Sequence, residues 1–212
     1  MKKNILFIFL SLFLFIIFVF YKLVLKNDYI ISKSKKSIVK KIKNNSHIIK
    51  KTFISPPKIY IKKQVEINNQ SNLSPKIIEF GDNYIIVEKL DYTFRDMFFY
   101  NKLNKSKIQK IINLFRKLDQ YKYSHNDLNW RNIMWSNKLN DFQVIDWEYA
   151  TIRKKKVKNI KNNLDYLKFK IDEIAFPLKK EERDLGFNIL KNIYLKKIPF
   201  NYITSFYQFW KY

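Results

Sequence analysis

Two short polar motifs separated by a hairpin constrain this sequence more than any other feature. The first runs from Ser124 to Trp135 and contains the pattern H-x-D-x-x-x-x-N; the second runs from Val144 to Glu148 and reads V-I-D-W-E. Apolar residues around a short turn join them, which predicts a β-hairpin. The spacing from Asp127 to Asn132 makes one loop whose ends can face the same pocket, and Asp146 follows from the hairpin. We therefore expect three polar side chains to converge on one site.

The residue types in these motifs suit phosphoryl transfer. Asp127 can accept or orient the proton of a hydroxyl group. The side-chain oxygens of Asn132 and Asp146 are ligands of the kind that Mg²⁺ prefers, with waters and phosphate oxygens as its remaining ligands. His125 can brace the loop through a hydrogen bond. Positioning and charge neutralisation do most of the catalysis in such reactions, so the pattern predicts a phosphotransferase site. The alternative interpretation is a polar loop and hairpin without chemistry.

Both motifs resemble the catalytic loop and the metal-binding loop of the protein-kinase-like superfamily. I-D-W-E and His125-Asn126-Asp127 are more similar to the choline kinase and aminoglycoside phosphotransferase branch than to protein kinases, which carry D-F-G. The resemblance implies an α+β, bilobal kinase-like fold with ATP and Mg²⁺ as cofactors. It also implies that Asp127 is the catalytic base, supported by His125, and that Asn132 and Asp146 bind magnesium.

The residues before the motifs follow the order of elements in a kinase-like N-lobe. The runs Ser37 to Lys43 and His47 to Thr52 are β-branched and apolar and predict a hairpin. Pro57 can open a helix that ends near Gln70. Residues 76–80 and 84–90 predict two further strands around a turn that contains Gly81. This half is therefore expected to be a small β-rich lobe with one helix.

The same resemblance assigns the nucleotide-binding residues. The strand His47-Ile48-Ile49-Lys50 is similar to V-A-I-K, which implies that Lys50 contacts the α- and β-phosphates. Glu66 on the predicted helix would pair with Lys50, and backbone groups of Glu88 and Leu90 would bind adenine. Lys62 is a rival for the phosphate lysine, but it leaves no room for the helix before Glu66.

Residues after position 91 predict a mainly helical C-lobe. Apolar residues recur at helical spacing with lysines on the opposite face, and Ser106 is a candidate N-cap for this helix. The apolar residues are Ile108, Ile111, Ile112, Phe115 and Leu118. The expected organisation is an anchor over residues 1–26, an N-lobe over 27–90 and a C-lobe over 91–212.

Three departures from the kinase pattern keep a second function open. The glycine-rich phosphate loop is missing, because Ser32 to Ser37 reads S-K-S-K-K-S. Asn129 stands where related enzymes carry Lys or His, and Arg131 is a possible substitute. The chain after Asp146 is short and has no A-P-E motif, so the acceptor, protein Ser/Thr or small molecule, stays open. A membrane-tethered pseudokinase is the alternative to an active enzyme.

The N-terminus predicts a membrane anchor. Residues from Ile5 to Tyr21 are apolar except Ser11, and a helix of this length spans roughly 25 Å, close to the thickness of the hydrocarbon core. A cleaved signal peptide is the alternative, but no small-residue cleavage site follows. Lysines are far more numerous after the span than before it, so the positive-inside rule predicts a cytoplasmic body. The lysines from Lys33 to Lys43 can also contact anionic headgroups.

Composition restricts the remaining functions. The formal net charge is +24, which suits an anionic partner, although a lysine-rich composition can also reflect biased coding. A basic run from Arg153 to Lys161 follows Asp146 and either faces the substrate or forms a solvated loop. The chain has no cysteine and two histidines, which excludes disulfides and multi-histidine metal sites. A nucleic-acid-binding membrane protein is the third hypothesis, but no recognition motif supports it. The oligomeric state stays open.

Overall fold

The computed structural model describes residues 30–42, 45–54, 58–154, 159–174 and 178–196. Its architecture is α+β, with a β-sheet in the N-terminal part and mainly helices after it, as expected for a kinase-like fold. Within these ranges no helix is both long and apolar enough to cross a membrane. The expected anchor at residues 5–21 lies outside the described residues, as do Lys43, residues 155–158 of the basic run and the aromatic tail after residue 196.

Five antiparallel strands form the N-terminal sheet: β1 (Ile30–Lys33), β2 (Ser37–Ile42), β3 (Asn45–Phe53), β4 (Ile77–Phe80) and β5 (Tyr84–Glu88). Their order in the sheet is β1-β2-β3-β5-β4. Helix α1 (Lys58–Gln70) connects β3 to β4. The predicted hairpin, helix and two later strands are therefore confirmed, with ends that differ by a few residues.

A small core lies between α1 and this sheet. Ile85 and Val87 alternate on β5 and are buried, together with Phe53 on β3 and with Ile61 and Val65 one turn apart on α1. The buried residues are two positions apart on the strand and four positions apart on the helix, which are the spacings that place side chains on one face of each element. This core fixes which face of β3 looks toward α1.

The second part contains the remaining strands and helices. They are β6 (Tyr92–Thr93), α2 (Phe94–Phe99), α3 (Lys105–Gln120), β7 (Tyr123–Ser124), β8 (Ile133–Ser136), β9 (Asp141–Val144), a 3₁₀ helix (Trp147–Tyr149), β10 (Thr151–Ile152), α4 (Asn163–Ile174) and α5 (Lys180–Tyr194). Strands β8 and β9 form the predicted hairpin, which β6 extends, and β7 pairs with β10. The two motifs therefore flank one hairpin.

Helix α3 provides the apolar face around which this part packs. All five residues of its predicted apolar stripe are buried. The N-cap, however, is Asn104, whose Oδ1 accepts a hydrogen bond from the Lys107 amide at 2.9 Å, and Ser106 lies inside the first turn. Asn104 can cap the helix because its extended backbone turns the side chain back toward the free amides.

A buried polar network joins α3 to α4. The Lys170 ammonium, 4% exposed, contacts the Asp119 carboxylate at 2.6 Å and the Glu173 carboxylate at 2.8 Å. Tyr166 donates its hydroxyl hydrogen to Asp119 at 2.6 Å. Burial is the main reason that the pKa of Tyr166 is raised, and the hydrogen bond to Asp119 adds to it. The network keeps a lysine charge inside the helical part by giving it two partners.

Candidate active site

His125 ties the first motif to the second. Its Nε2 lies 2.8 Å from the Ile145 carbonyl, and its Nδ1 accepts a hydrogen bond from the Asp127 amide at 3.3 Å. Because Nδ1 is an acceptor, the proton is on Nε2, which donates to Ile145. Burial lowers the pKa of His125, although the Ile145 carbonyl and the nearby carboxylates act in the opposite direction. The ring is therefore a neutral brace, as expected, and it packs against Trp147 with ring centroids 4.8 Å apart.

Asp127 and Asn132 face each other across the loop. The Asn132 amide nitrogen donates to the Asp127 backbone carbonyl at 2.8 Å and to its Oδ2 at 3.1 Å. Asn132 is 9% exposed, whereas Asp127 is exposed to solvent. Since the nitrogen of Asn132 is committed to Asp127, its Oδ1 is the atom left to bind a ligand. The expected convergence of the two loop ends is present.

Asp146 lies at the end of the β8–β9 hairpin with a left-handed backbone, at φ 66° and ψ 52°. This conformation costs an aspartate about 1–2 kcal/mol. Two contacts hold it: the Ile145 amide donates to the Asn132 carbonyl at 2.9 Å, and the Trp147 side chain is fully buried. The left-handed turn directs the chain from the hairpin into the 3₁₀ helix and leaves the Asp146 side chain about one third exposed.

Lys51, not Lys50, is the lysine that meets this centre. The Lys51 ammonium forms an ion pair with Asp146 and lies 4.0 Å from Glu148. Lys50 points to the other face of β3, where its ammonium lies 4.0 Å above the centre of the Tyr84 ring. Successive side chains of a strand alternate between faces, so only one of two adjacent lysines can reach the site.

The phase of β3 explains why Lys51 lies on the inward face. Ile49 and Phe53 pack into the core beneath α1, and residues two apart on a strand share a face. Lys51 lies between them and therefore shares their face. The prediction of Lys50 rests on the likeness of His47-Ile48-Ile49-Lys50 to V-A-I-K, whereas in the structure it is the next residue, Lys51, that faces Asp146. The rival Lys62 is exposed on α1.

Glu66 does not pair with a lysine of β3. It accepts a hydrogen bond from the Tyr123 hydroxyl at 2.8 Å and lies 3.6 Å from the Lys122 ammonium. The hydrogen bond from Tyr123 is the main reason that the pKa of Glu66 is lowered. Glu148 is the glutamate next to Lys51, and its only sequence signal is its place in I-D-W-E. The structure therefore gives Glu66 a contact with β7, and it gives Lys51 two acidic neighbours from one loop.

The end of β5 and the residues after it include Glu88 and Leu90, whose backbone groups the sequence predicts to bind adenine. The Lys89 amide donates to the His47 carbonyl and the Asp91 amide to the Trp135 carbonyl, whereas the Leu90 amide between them has no backbone acceptor among the described residues. The Glu88 amide is bonded to the Lys76 carbonyl at 3.1 Å, and its carboxylate pairs with Lys138 at 2.6 Å. This pattern leaves the Leu90 amide as the donor that a ligand can use.

Asn129 and Arg153, candidates from the sequence for a place near the transferred phosphate or the substrate, form hydrogen bonds with the backbone. The Asn129 side chain accepts from the Arg131 and Asn132 amides at 2.9 and 3.2 Å, so it shapes the loop. Arg153 donates to the Leu118, Tyr121 and Tyr123 carbonyls. Arg153 thus satisfies carbonyls at the C-terminal end of α3 and in the β7 segment that follows it. Arg131 is exposed.

The fold and this arrangement define a phosphotransferase of the protein-kinase-like superfamily. The lipopolysaccharide kinase (Kdo/WaaP) family matches the chain over residues 63–185, more than half of its length. The chain belongs to this family, and it is therefore an enzyme that transfers phosphate to hydroxyl groups, with ATP as the substrate that a kinase implies. No curated protein matches the chain in sequence. Strands β1 to β3 precede the matched residues, so the family match does not cover Lys51, and only the geometry places this lysine beside Asp146.

Proposed function

We propose that this enzyme transfers the γ-phosphate of ATP to a hydroxyl group of a lipopolysaccharide component. One observation carries the proposal: Asp127, Asn132 and Asp146 form a connected centre through the Asn132 amide and the Ile145–Asn132 backbone bond. The family match supports the reaction class and the kind of acceptor. The exposed Asp127 carboxylate can be approached by a hydroxyl group from solvent, as a large glycolipid acceptor requires.

In this reaction Asp127 orients the acceptor hydroxyl and accepts its proton as the bond to phosphorus forms. The Asn132 amide holds one carboxylate oxygen of Asp127, so the other oxygen is left for the hydroxyl. His125 fixes the loop from beneath without exchanging protons, because its Nε2 hydrogen is used by Ile145. Positioning of these groups is the main contribution that the protein makes.

The free atoms of Asn132 and Asp146 fit Mg²⁺. Asn132 has its Oδ1 available, and Asp146 uses Oδ1 for Lys51, which leaves Oδ2. One amide oxygen and one carboxylate are typical protein ligands for Mg²⁺, which takes its other ligands from phosphates and water. No cluster of three or more acidic or histidine residues able to hold a metal is found in the described ranges. When bound, Mg²⁺ neutralises charge on the phosphates.

Nucleotide binding is assigned to Lys51 together with the segment after β5. We propose Lys51, in place of Lys50, as the contact to the α- and β-phosphates, because its ammonium already lies against Asp146. Glu148 orients that ammonium in the way that was expected of Glu66. The Leu90 amide and the Glu88 carbonyl are the proposed adenine contacts.

Membrane attachment completes the proposal. The apolar residues 5–21 and the lysines after them support a single-pass anchor with the catalytic body on the cytoplasmic side. Such an anchor would hold the enzyme at the surface where a lipid-linked acceptor lies.

The I-D-W-E motif also supports a likeness to the choline kinase and aminoglycoside phosphotransferase branch, whose acceptors are small molecules and sugars.

A pseudokinase is the second candidate, and one observation favours it. In the β1–β2 turn the Ser34 hydroxyl accepts hydrogen bonds from the Lys36 and Ser37 amides at 3.2 and 3.0 Å. These amides are therefore not free to bind phosphate as the amides of a glycine-rich loop do. A pseudokinase would bind nucleotide without turnover.

The test uses the full-length protein in neutral detergent with labelled ATP. Lipopolysaccharide, a generic protein and an amino alcohol are supplied separately as acceptors, with and without Mg²⁺. Asp127→Asn and Asp146→Asn probe the centre. Asp165→Asn is the matched control, because Asp165 is an exposed aspartate in the first turn of α4.

We expect Mg²⁺-dependent labelling of lipopolysaccharide that Asp127→Asn and Asp146→Asn each reduce by about 10³-fold or more and that the control leaves within about twofold. Labelling of only the protein or the amino alcohol would refute the proposed acceptor. Nucleotide binding without transfer to any acceptor would establish the pseudokinase.

A further inference from the structure

The β1–β2 turn occupies the position of the missing glycine-rich loop and is closed by its own hydrogen bonds. The Ser34 amide donates to the Ser37 carbonyl at 2.8 Å, and the Ser34 hydroxyl accepts from the Lys36 and Ser37 amides at 3.2 and 3.0 Å. Three backbone donors of this turn are therefore already used. A contact from Ser34, Lys36 or Ser37 to a phosphate must come from a side chain.

Lys36 extends from this turn to the catalytic centre. Its ammonium donates a hydrogen bond to the Tyr149 hydroxyl and lies 4.8 Å from the centre of the Tyr149 ring. Tyr149 ends the 3₁₀ helix that follows Asp146. The Tyr149 carbonyl accepts a hydrogen bond from the Asn126 side chain at 2.9 Å. The Lys36–Tyr149 contact thus links the turn to both loops that carry the site.

The charges around Lys36 agree with a position over the site. The hydrogen bond to Tyr149 is the main reason that the pKa of Lys36 is raised, and the carboxylates of Glu148 and Asp127 also raise it. Its ammonium is therefore charged at neutral pH and feels the carboxylate that we assign as the catalytic base.

We propose that Lys36 binds the transferred phosphate of ATP, replacing the backbone amides of the turn that are already hydrogen-bonded, and that the Tyr149 hydroxyl positions its ammonium. The inference rests on the function proposed above. A lysine ammonium is a compact charge on a flexible stem that binds phosphate without backbone contact. The Lys36 ammonium has three hydrogens, so it can keep its hydrogen bond to the Tyr149 hydroxyl and donate a second one to a phosphate oxygen without moving the turn. A turn without glycine can therefore still serve an active kinase.

The experiment measures dissociation constants for ATP and ADP, together with kcat and KM for ATP, on the full-length protein in neutral detergent with Mg²⁺. Lys36→Met removes the charge, and Lys36→Arg keeps it. Lys35→Met is the matched control: Lys35 is an exposed lysine in the same turn without a hydrogen bond or ring contact to the described residues. Tyr149→Phe removes only the hydroxyl group.

A charge-assisted contact to the γ-phosphate predicts that Lys36→Met weakens ATP binding by roughly 10- to 100-fold while ADP binding changes by less than about threefold. Lys36→Arg should restore most of the ATP preference, and Lys35→Met should match the wild type. Tyr149→Phe should lower kcat without changing ADP binding. The selectivity for ATP over ADP is the decisive quantity, because a turn that is merely misfolded would weaken both nucleotides.

Equal losses of ATP and ADP binding in Lys36→Met, or the same result for Lys35→Met, would overturn the role of Lys36. An unchanged or increased kcat in Tyr149→Phe would overturn the positioning role of Tyr149. If the wild type turns over ATP and Lys36→Met behaves like it, only this inference fails. If the wild type binds no ATP, the proposed function fails.

Discussion

Replacing Lys51 with methionine tests the proposed geometry of the nucleotide site. The Lys51 ammonium is 13% exposed and contacts Asp146, and a hydrogen bond to a charged group contributes about 1.5–3 kcal/mol. One contact to Asp146 and one to phosphate together predict a loss of about 3–6 kcal/mol of transition-state stabilisation, that is, roughly 10²- to 10⁴-fold in kcat/KM. Methionine keeps most of the volume and the flexible stem, so packing on β3 is preserved.

Lys50→Met is the matched control, because Lys50 is the neighbouring lysine on the same strand. Its loss removes a cation–π contact with Tyr84 at 4.0 Å, which contributes about 0.5–1 kcal/mol to stability, and should leave kcat/KM within about twofold. The assay is the initial rate of Mg²⁺-dependent ATP consumption with lipopolysaccharide, checked by thermal unfolding of both variants. A large loss in Lys50→Met with normal activity in Lys51→Met would refute the assignment of faces on β3.

Two further predictions concern stability, measured by urea denaturation. Asp119→Ala should lower the free energy of unfolding by about 3 kcal/mol or more, because it leaves the buried Lys170 ammonium with one partner. Asp172→Ala removes a partly exposed ion pair and should lower it by less than about 1 kcal/mol. Similar losses in the two variants would contradict a stabilising role of the buried network. The pKa of His125 is lower in the folded protein than in the unfolded chain, where it is about 6.5. At acidic pH the unfolded chain therefore binds one proton more than the folded protein. The free energy of unfolding should fall as the pH falls from 7.5 to 5.5, by up to about 1.4 kcal/mol per pH unit. His125→Asn should reduce this pH dependence, and an unchanged slope would show that other groups cause it.

The loop around Asp127 shows what could be predicted well. Asp127, Asn132 and His125 lie within one short segment, and the hydrogen bonds among them follow from their spacing. The hairpin before Asp146 was predictable for the same reason, because β8 and β9 are adjacent in sequence and apolar. Local chain geometry leaves these groups few other arrangements, so the residue pattern was enough.

Lys50, Glu66 and Arg153 show where sequence reasoning was insufficient. A one-residue difference in the phase of β3 exchanges Lys50 for Lys51, and two adjacent lysines give no chemical reason to prefer either. Glu66 was matched to the lysine by its position along α1, but the rotation of the helix directs it to Tyr123. Arg153 belonged to a charge run that was expected either to face the substrate or to form a solvated loop, yet carbonyls at the end of α3 bind its guanidinium.

The sequence by itself determined the reaction class and the order of elements, and it brought together the three residues of the proposed catalytic centre, because these depend on residue chemistry and on short spacings. Only the tertiary structure decided which lysine meets Asp146 and that Lys36 reaches Tyr149. Those contacts join residues about a hundred positions apart in the chain. Their formation depends on strand phase, helix rotation and the packing of two parts against each other, and none of these is determined by local spacing.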